Sequence, residues 1–363
     1  MSNILISCGG TGGHLAPGIA VGQALIKGGH NVSFIISEKP VDARLSQKYS
    51  DLNFIKSPGA PFSVSPAKFF KFIKSQFKAY LLAKKLMKGA DAAIAFGGFT
   101  SFGISLAAIR AKKPLILHEA NRKAGKAIRL FGRFATRIYV PYGVKISAGK
   151  KGVVRHAGYP VREEIFRRDA EASKAKFGFD KDAKILLVCG GSQGALALNK
   201  WAAENFDSLA YEGLDVLCIS GPGKAGLAEK SKTDKNGAER FFKVVEFCDD
   251  MAGAMSASEI VAARAGAGSI AEFARCGVIP VLVPLPSSAD NHQLENAMFV
   301  EKSGAGICVR QKDISRLKDE IVSAASNKTL CDRMRAGLKS IDESNDVEKI
   351  VADIESVISK PER

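Results

Sequence analysis

The amino-acid sequence predicts an α/β protein built from two doubly wound parallel-sheet domains that face each other across a cleft. Three observations support this fold class. The 363-residue chain exceeds the size of one ordinary hydrophobic core. Short apolar runs alternate with longer amphipathic segments, as in parallel sheets with helical crossovers. A glycine-rich motif near the N-terminus also recurs about halfway along the chain.

The predicted strands fall into two series. The first series comprises the apolar runs 3–7, 32–36, 92–96, 114–117 and 137–140. The second series comprises 184–189, 215–219, 243–247, 259–263 and 279–283. The intervening segment is rich in Gly, Lys and Arg, and it places a hinge near residue 160. We therefore predict one domain over residues 1–160 and a second over residues 161–344.

Two pairs of motifs repeat between these predicted domains. ILISCGGTGGHLA at 4–16 is matched by ILLVCGGSQGALA at 185–197, and AIAFGGFTSFG at 93–103 is matched loosely by IVAARAGAGSIAE at 260–272. Glycines let a ligand approach the main chain, and free amides at a helix N-terminus favour phosphate. Because doubly wound sheets bind ligands at the carboxyl ends of their strands, we expect these loops to form a two-sided site.

Composition limits the class of protein. Hydrophobic residues make up 46% and charged residues 25%, which is typical of a soluble globular protein. No apolar stretch reaches the roughly 18 residues of a membrane span. The N-terminal apolar run ends in glycines, so we expect a strand there and no signal peptide. The seven cysteines are scattered and never spaced C-x-x-C, so we expect buried, reduced thiols in a cytosolic protein, without disulfides or a metal site.

Several local motifs carry less information. Gly266-x-Gly268-x-x-Ala271 satisfies the dinucleotide-binding fingerprint, which a tight structural turn also produces. No Walker lysine follows any glycine loop, which disfavours a P-loop NTPase. The Asp180-x-Asp182 pair resembles a metal-binding DxD motif. It precedes a predicted strand, at the amino end of the sheet, so we predict a turn there.

The net charge favours an anionic partner. Lys and Arg number 53 against 37 Asp and Glu, a formal charge of +16 that suits nucleic acid, an acidic membrane or a phosphorylated substrate. Segments 68–88 and 127–140 place apolar and basic residues at helical spacing, with Arg129, Arg133 and Arg137 recurring every four residues. Such helices are typical of membrane surfaces, although an apolar face packed on its own sheet is the alternative. The predicted membrane-binding residues are Phe69, Lys71, Ile73, Lys74, Phe77, Lys78, Arg129 and Arg133.

Six motifs occur in the order found in one known family. They are GGTGGH, LHEAN, PVR, GGSQGA, RAGAGSIAE and PLPSSADNHQLENA, between residues 9 and 297. With them, the chain resembles the MurG family of UDP-N-acetylglucosamine transferases, which make lipid II in peptidoglycan synthesis. The resemblance implies the GT-B fold of two Rossmann-like domains, in which the first binds acceptor and membrane and the second binds UDP-GlcNAc. It also implies a C-terminal helix, within about 345–363, that crosses back to the first domain.

The implied activity is inverting transfer of GlcNAc from UDP-GlcNAc to the C4 hydroxyl of a muramyl-pentapeptide on undecaprenyl diphosphate (lipid I). The product would be lipid II with a β-1,4 link. We expect no cofactor and no metal, because helix termini and an arginine would serve the diphosphate. The implied partners are UDP-GlcNAc, the lipid-linked acceptor, an anionic membrane surface and cell-wall synthesis proteins, with no nucleic acid. The implied location is peripheral, on the cytoplasmic face of the plasma (inner) membrane, in an enzyme connected with cell shape and division.

Site residues carry over onto matching positions. His14 would accept the proton of the attacking hydroxyl, or it would position the acceptor while Glu119 acts as the base; both roles stay open. Glu272 would accept hydrogen bonds from the ribose hydroxyls. Arg162, at the hinge, would reach the nucleotide, and Ser192, at a helix N-terminus, would help hold the diphosphate. The other implied contacts of UDP-GlcNAc are Thr11, Gly12, Gly13, Asn121, Cys248, Ala267, Gly268, Ser269, Ile270, Ala271 and Gln293.

The chain departs from the family pattern mainly in the first domain and the hinge. The departures are Phe99 for Tyr, Phe102 at a small position, Tyr159 for the Asn before Pro160, Arg122-Lys123 after Asn121, and Cys248 for an aliphatic residue. These departures affect the implied contacts with the acceptor more than those with the donor.

Three other functions remain as alternatives. A UDP-GlcNAc 2-epimerase would share the fold and the donor but would need no membrane face. An NAD-linked oxidoreductase would explain the fingerprint at 266–271 but not the duplicated loop. A nucleic-acid-binding protein would explain the charge, yet the sequence contains no recognisable nucleic-acid module.

Overall fold

The computed structural model describes residues 1–60, 65–150, 152–224 and 226–359, without the side chains of Val41, Leu45, Pro66, Ala67 and Lys68. The chain forms two compact units. Unit 1 comprises Met1–Arg162 and Ser344–Arg363, and unit 2 comprises Glu163–Glu343. Residues 360–363, at the end of the predicted C-terminal segment, lie outside the described residues.

Unit 1 is built on a seven-stranded parallel sheet with the order β3-β2-β1-β4-β5-β6-β7. The strands are β1 (Asn3–Ser7), β2 (Asn31–Ser37), β3 (Asn53–Ser57), β4 (Ala92–Ala95), β5 (Leu115–His118), β6 (Arg137–Val140) and β7 (Val153–His156). Strands β4, β5 and β6 are buried along their whole length, as continuous apolar runs predict for a sheet covered on both faces.

Helices cover both faces of this sheet. They are α1 (Gly12–Lys27), α2 (Pro40–Lys48), α3 (Pro66–Met87), α4 (Ser101–Arg110) and α5 (Lys126–Phe131), with a 3-10 turn at Gly132–Phe134. One apolar core joins α1 to the sheet, and a second core joins α3, α4 and α5 to it. Gly18 and Gly22 of α1 lie directly on Cys8 and Phe34, where a Cβ would come within 2.3 Å and 2.2 Å of these side chains.

Unit 2 repeats this architecture with the strand order β10-β11-β9-β8-β12-β13-β14, in which only the edge strand β10 is antiparallel. The strands are β8 (Lys184–Cys189), β9 (Leu214–Ile219), β10 (Lys230–Thr233), β11 (Glu239–Val245), β12 (Ile260–Ala263), β13 (Ile279–Leu282) and β14 (Ile307–Cys308). The helices are α6 (Ala170–Lys176), α7 (Leu196–Tyr211), α8 (Met251–Ser256), α9 (Ala267–Cys276), α10 (His292–Lys302), α11 (Leu317–Ser326) and α12 (Lys328–Glu343), with 3-10 segments at Ala289–Asn291 and Gln311–Arg316.

The C-terminal helix α13 (Val347–Ile358) belongs to unit 1 and shares an apolar core with α1. Polar contacts also fix it to β6. Asp353 accepts a hydrogen bond from Tyr139 Oη at 2.6 Å and pairs with Arg137 Nε at 2.8 Å. The apolar side chains of α13 in the core are Ile350, Val351, Ile354 and Val357.

The predicted α/β fold with two parallel sheets is confirmed, and each of the predicted strands overlaps an observed one. The motif pairs also fall on equivalent strands. β1 and β8 are central in their sheets, and β4 and β12 are the neighbours of these strands on the same side. Four equivalent glycine loops follow: loop 1 (residues 8–14), loop 2 (96–100), loop 3 (190–195) and loop 4 (264–267).

Candidate functional site

Loop 1 is held tightly against the end of β2. A Cβ at Gly9 would lie 2.4 Å from Ser37 N, so only glycine fits, and Gly10 has a φ of +106°. The Gly10 amide donates to Asp42 Oδ2 at 2.7 Å, and Thr100 Oγ1 donates to Gly9 O at 2.9 Å. The loop therefore has a fixed conformation in which side chains from two neighbouring strand ends hold its main chain.

The N-terminus of α1 presents free amides. Within the described part of unit 1, no group accepts a hydrogen bond from the amides of Thr11, Gly12 or Gly13, while the amides of His14 and Leu15 turn back to Thr11 O at 3.1 Å. Thr11 and Gly13 are exposed, and no acidic residue lies in the first turn. Such a helix start favours an anionic ligand.

His14 joins loop 1 to loop 2. Its Nδ1 lies 3.0 Å from Thr11 Oγ1. A Cβ at Gly98 would be 3.1 Å from Nδ1, and one at Gly97 would be 3.4 Å from Nε2, so the two glycines leave room for the imidazole. A proton on Nδ1, donated to Thr11, would make Nε2 the nitrogen that accepts a proton. The structure thus brings His14 to the carboxyl ends of β1 and β4.

Glu119 organises the loop that follows β5. Its Oε1 accepts from Asn121 N at 2.9 Å and from Asn121 Nδ2 at 3.2 Å, and its Oε2 accepts from Gly125 N at 2.7 Å. The side chain is buried. A carboxylate whose two oxygens both serve backbone amides is suited to shaping a loop, and Asn121 is positioned by it.

The hinge residues make contacts inside unit 1. Arg162 is buried, and its Nη1 donates to Tyr49 Oη at 2.8 Å. Tyr159, one of the departures from the family pattern, donates from Oη to Gly13 O at 3.3 Å. A nucleotide contact of Arg162 stays a prediction, whereas Tyr159 has a visible role in supporting the start of α1.

The other departures in unit 1 are packing and loop contacts. The Phe99 ring lies between loop 1 and Gly59, with Cβ positions at Gly10 and Gly59 only 2.9 Å and 2.5 Å from it. Phe102 packs edge-on against Phe131. Arg122 donates from Nη2 to Tyr142 O at 2.7 Å and so connects the loops after β5 and β6.

Loop 3 in unit 2 is formed by glycines in close backbone contact. Gly191 and Gly194 have positive φ angles, and a Cβ at Gly194 would lie 2.0 Å from Ser220 O. The prediction that Ser192 lies at a helix N-terminus is wrong, because α7 begins at Leu196 and Ser192 occupies the exposed turn before it. Its hydroxyl still lies at the carboxyl end of β8.

Loop 4 leads directly into α9, which carries most of the predicted donor contacts. Gly266 is the N-cap, and the amides of Ala267, Gly268 and Ser269 have no acceptor within the described part of the chain. Ile270 and Ala271 are buried against the unit 2 core. Glu272 is half-buried. Burial raises the pKa of the Cys189 thiol, at the end of β8, to about 12, and the negative charge of Glu272 adds to this rise. Glu272 therefore lies near loop 3, which follows Cys189.

The loop after β13 is tied to α10. Gln293 Oε1 accepts from Leu285 N at 3.0 Å, and Asn296 Nδ2 donates to Ala265 O at 3.1 Å. Asp290 and Asn291 adopt left-handed conformations, which Asp and Asn tolerate better than most residues. Contact of Gln293 with the donor stays a prediction, since the amide already orders its own loop.

Four of the seven cysteines are buried, as expected for core thiols, whereas Cys248, Cys308 and Cys331 are half-buried. Cys248 is half-buried just beyond β11, and burial raises the pKa of its thiol. Asp182 N donates to Asp180 Oδ1 at 2.9 Å, which confirms the predicted turn. No cluster of three or more His, Cys, Asp or Glu able to hold a metal occurs among the described residues.

Helix α3 exposes its large apolar side chains. Phe70 is 73% exposed and Phe77 is 61% exposed, whereas the side facing α4 buries small residues such as Ala79, over which Gly103 packs. α3 does pack an apolar face on its own sheet, but that face is formed by Ala83 and Met87 and not by the exposed phenylalanines. The exposed apolar residues of α3 and of the α5 region are Phe69, Phe70, Ile73, Phe77, Leu81, Leu130 and Phe134, which we call the apolar patch.

Basic residues accompany the apolar patch. Lys71, Lys74 and Lys78 are exposed on α3, and Arg129 and Arg133 are exposed near α5. The helical spacing predicted over 127–140 is wrong beyond residue 134, because the chain enters β6, where Arg137 is buried against α13. Within the described residues, no helix has the length and apolarity of a membrane span.

The positive charge of the chain resides in unit 1. Unit 1 contains 29 Lys and Arg against 10 Asp and Glu, a formal charge of +19. Unit 2 contains 24 against 27, a formal charge of −3. An anionic partner such as a membrane surface would therefore be attracted to unit 1.

Sequence reasoning missed the side chains that hold loop 1 in place. Asp42 and Thr100 bind its main chain, and Lys39 Nζ donates to Gly10 O at 3.1 Å. The sequence indicates these three residues only weakly, by their positions. Lys39 and Asp42 follow the predicted strand 32–36, and Thr100 follows the glycines at 97–98. All three lie far along the chain from the loop they contact.

Comparison with known proteins gives two family matches. The glycosyltransferase family 28 N-terminal domain matches residues 4–140, and the glycosyltransferase family 28 C-terminal domain matches residues 185–351. These ranges contain the four glycine loops.

Two curated relatives carry the same descriptive name. The chain is 42% identical to a UDP-N-acetylglucosamine–N-acetylmuramyl-(pentapeptide) pyrophosphoryl-undecaprenol N-acetylglucosamine transferase of Opitutus terrae, over 98% of this chain and 95% of that protein. It is 33% identical to a protein of that name from Francisella tularensis, over 86% of this chain and 85% of that protein.

Solved structures show the same fold. MurG of Acinetobacter baumannii superposes with a TM-score of 0.72 at 24% identity, covering 98% of this chain and all of that one. A kitacinnamycin glycotransferase superposes with a TM-score of 0.71 at 15% identity, covering 98% and 99% of the two chains. The chain thus has the fold of these glycosyltransferases.

Proposed function

Because this chain belongs to the family of UDP-N-acetylglucosamine–N-acetylmuramyl-(pentapeptide) pyrophosphoryl-undecaprenol N-acetylglucosamine transferases, we propose that it transfers GlcNAc from UDP-GlcNAc to lipid I and forms lipid II. The observation that carries this proposal is 42% identity over 98% of the chain. An epimerase or an oxidoreductase would require neither this likeness nor an exposed apolar patch.

Unit 2 would bind the donor. The free amides at the start of α9 suit the negative charge of a nucleotide diphosphate. Glu272, on the next turn of that helix, would accept hydrogen bonds from the ribose hydroxyls, as acidic residues do in dinucleotide-binding folds. Loop 3 lies near Glu272 at the end of β8, where Ser192 and the glycine backbone would meet the diphosphate.

Unit 1 would position the acceptor, and His14 would act as the general base. Both oxygens of Glu119 already accept amide hydrogen bonds, which favours a loop-shaping role for that residue. The His14 imidazole lies at the start of α1, beside exposed amides. A neutral Nε2 would take the proton of the C4 hydroxyl as this oxygen attacks the anomeric carbon of UDP-GlcNAc.

The reaction would invert the anomeric configuration. The C4 oxygen forms the new bond to the anomeric carbon, the bond from that carbon to the UDP oxygen breaks, and UDP leaves with the electron pair. Negative charge grows on the diphosphate in the transition state, where oriented amides stabilise it most. The product would carry a β-1,4 link.

We also propose that the apolar patch binds the cytoplasmic face of the plasma membrane. Large apolar side chains exposed in this way are typical of interaction surfaces, and the exposed lysines and arginines on the same helices suit anionic lipid headgroups. The patch lies in the positively charged unit, which would place the acceptor loops of that unit near a lipid-linked substrate.

Acceptor-dependent turnover tests the proposed function. The purified protein is incubated with UDP-GlcNAc and a short-chain lipid I analogue, and UDP release and disaccharide formation are measured. We expect both to require the acceptor and to stop with an analogue that lacks the C4 hydroxyl. Conversion of UDP-GlcNAc to its 2-epimer without acceptor, or no reaction with acceptor, would contradict the proposal.

A further inference from the structure

Asp42 is a buried carboxylate beside loop 1 that the proposed reaction does not use. It is fully buried at the start of α2, and it forms no salt bridge with any described residue. Burial of an ionised group is costly unless hydrogen bonds compensate. The contacts of Asp42 therefore indicate what the carboxylate does for this fold.

A single oxygen of Asp42 accepts all of its described hydrogen bonds. Oδ2 accepts from Gly10 N at 2.7 Å, from Ser37 N at 2.9 Å and from Ser37 Oγ at 2.5 Å. Oδ1 is buried and has no described partner. The carboxylate thus joins the end of β2 to the middle of loop 1, across 32 residues of sequence.

Two consecutive peptide groups of loop 1 are fixed from several sides. The peptide between Gly9 and Gly10 donates to Asp42 through its amide and accepts from Thr100 Oγ1 through its carbonyl. The next carbonyl, Gly10 O, accepts from Lys39 Nζ, whose amine also lies 4.9 Å from the centre of the Phe99 ring. Gly10 has a φ of +106°. Because glycine adopts many backbone conformations, these hydrogen bonds select the one that loop 1 has here.

The second fixed peptide contains the Thr11 amide, and the amides of Gly12 and Gly13, which have no described acceptor in unit 1, and the imidazole of His14 follow directly. A rotation of the Gly10 peptide would therefore redirect the start of α1. We propose that Asp42 is a positioning residue, which orients loop 1 for the acceptor through the Gly10 amide. This inference rests on the proposed transferase function. A charged acceptor suits the role, because hydrogen bonds to a carboxylate are about twice as strong as neutral ones.

The experiment compares Asp42→Ala, Asp42→Asn and the control Ser37→Ala in the full-length protein. Ser37→Ala removes one hydrogen bond to the same oxygen and leaves the Gly10 amide bonded. We measure kcat and KM for the lipid I analogue, UDP affinity by calorimetry and the melting temperature. Spectra of 15N-histidine-labelled protein report on the His14 ring.

We expect Asp42→Ala to lower kcat/KM for the acceptor by about 10- to 100-fold, with UDP affinity within about twofold of the parent. Asp42→Asn keeps one carbonyl oxygen for the Gly10 amide and should recover part of the loss, to about 3- to 10-fold below the parent. Ser37→Ala should lower the melting temperature while keeping the acceptor kinetics. The His14 signals should shift in both Asp42 variants.

Parental kcat/KM in folded Asp42→Ala and Asp42→Asn would overturn the inference, and Asp42→Asn alone decides if the alanine variant does not fold. An equal loss of acceptor kcat/KM in Ser37→Ala would also overturn it, since the effect would then follow stability. Failure of the proposed function looks different: the parent itself would then make no acceptor-dependent product. In that case, unshifted His14 signals in the Asp42 variants would still reject the positioning role.

Discussion

Units 1 and 2 share the order of their central parallel strands but differ in charge and surface. In both, a central strand ends in a glycine loop that precedes a helix, and the neighbouring strand repeats this pattern. Unit 1 carries a formal charge of +19 and the exposed apolar patch, whereas unit 2 carries −3. The comparison teaches that both units place helix starts with free amides after their glycine loops, and that they differ in charge and exposed apolar surface; under the proposed function, this difference would separate an acceptor and membrane role from a donor role.

The largest effect is expected from removing the proposed general base in unit 1. His14→Ala should lower kcat by about 10²- to 10⁴-fold, because the general base is lost. UDP binding should stay nearly unchanged, since unit 2 keeps its loops. Steady-state kinetics with the lipid I analogue and calorimetry with UDP check the two halves of this prediction.

His156→Ala, also in unit 1 but on the edge strand β7, is the matched control and should keep parental kcat. The acidic limb of the pH–rate profile should disappear in His14→Ala. A variant at residue 14 that keeps near-parental turnover and the same acidic limb would remove His14 from the chemistry.

The membrane role of unit 1 should depend on where charge is placed. Replacing Lys71, Lys74 and Lys78 with Glu should weaken binding to anionic vesicles by about 100-fold, since each basic contact contributes about 1 kcal/mol. Soluble-acceptor turnover should change little. Vesicle co-sedimentation at several salt concentrations measures the effect.

The control makes the same charge change in unit 2 by replacing the exposed residues Lys200, Lys328 and Lys339 with Glu. We expect this control to bind vesicles much like the parent. Equal losses in both triple variants would mean that net charge, and not the face formed by α3, governs binding.

Donor recognition should depend on unit 2. Glu272→Ala should weaken UDP-GlcNAc binding by about 1–3 kcal/mol, because hydrogen bonds from the ribose hydroxyls to a charged acceptor are lost. KM for the lipid I analogue should remain close to the parental value. Calorimetry that finds unchanged donor affinity in a folded variant would refute the role assigned to Glu272.

The smallest expected effect is on stability at acidic pH, and it should be confined to unit 1. Burial lowers the pKa of His118, in unit 1, to about 4. Between pH 6.5 and 4 the unfolded chain binds a proton there that the folded chain does not, so stability falls as the pH falls. Between pH 7 and pH 5.5, the unfolded-state protonation of this histidine should lower the free energy of unfolding by about 1 kcal/mol.

His118→Phe should remove that part of the acid sensitivity while keeping a ring beside Phe96, 5.1 Å from the imidazole. Urea unfolding at pH 7 and pH 5.5 measures the difference between the variant and the parent. We expect the variant to be more stable than the parent at pH 5.5, and we expect this difference in the unfolding transition of unit 1. An identical pH dependence in the two proteins would contradict the buried, neutral state of His118.

The interior of the fold was predictable because buried strands are continuous apolar runs. The strands that sequence reasoning missed, β3, β7, β10 and β14, are the edges of the two sheets. Edge strands face water on one side, so their residues are largely polar or half-exposed; all four residues of β10 are exposed. Periodicity alone does not distinguish such segments from loops.

The candidate site was predictable where it is local in sequence. The glycines of loops 1 and 3, with His14 beside them, could be read from the chain because each loop is continuous. Asp42 could not, because it binds Gly10 across 32 residues, and a single sequence carries no record of that pairing. The exposure of Phe70 and Phe77 also required the structure, since helical spacing fits a buried face equally well.

The division between the units is tested most directly by hydrogen–deuterium exchange of the intact protein with UDP and, separately, with anionic vesicles. We predict that UDP slows exchange in peptides covering 190–195 and 266–272 and leaves 68–88 unchanged. Vesicles should slow exchange in 68–88 and leave 266–272 unchanged. Protection by UDP in loops 1 and 2 without protection in loops 3 and 4 would contradict the assignment of the donor to unit 2.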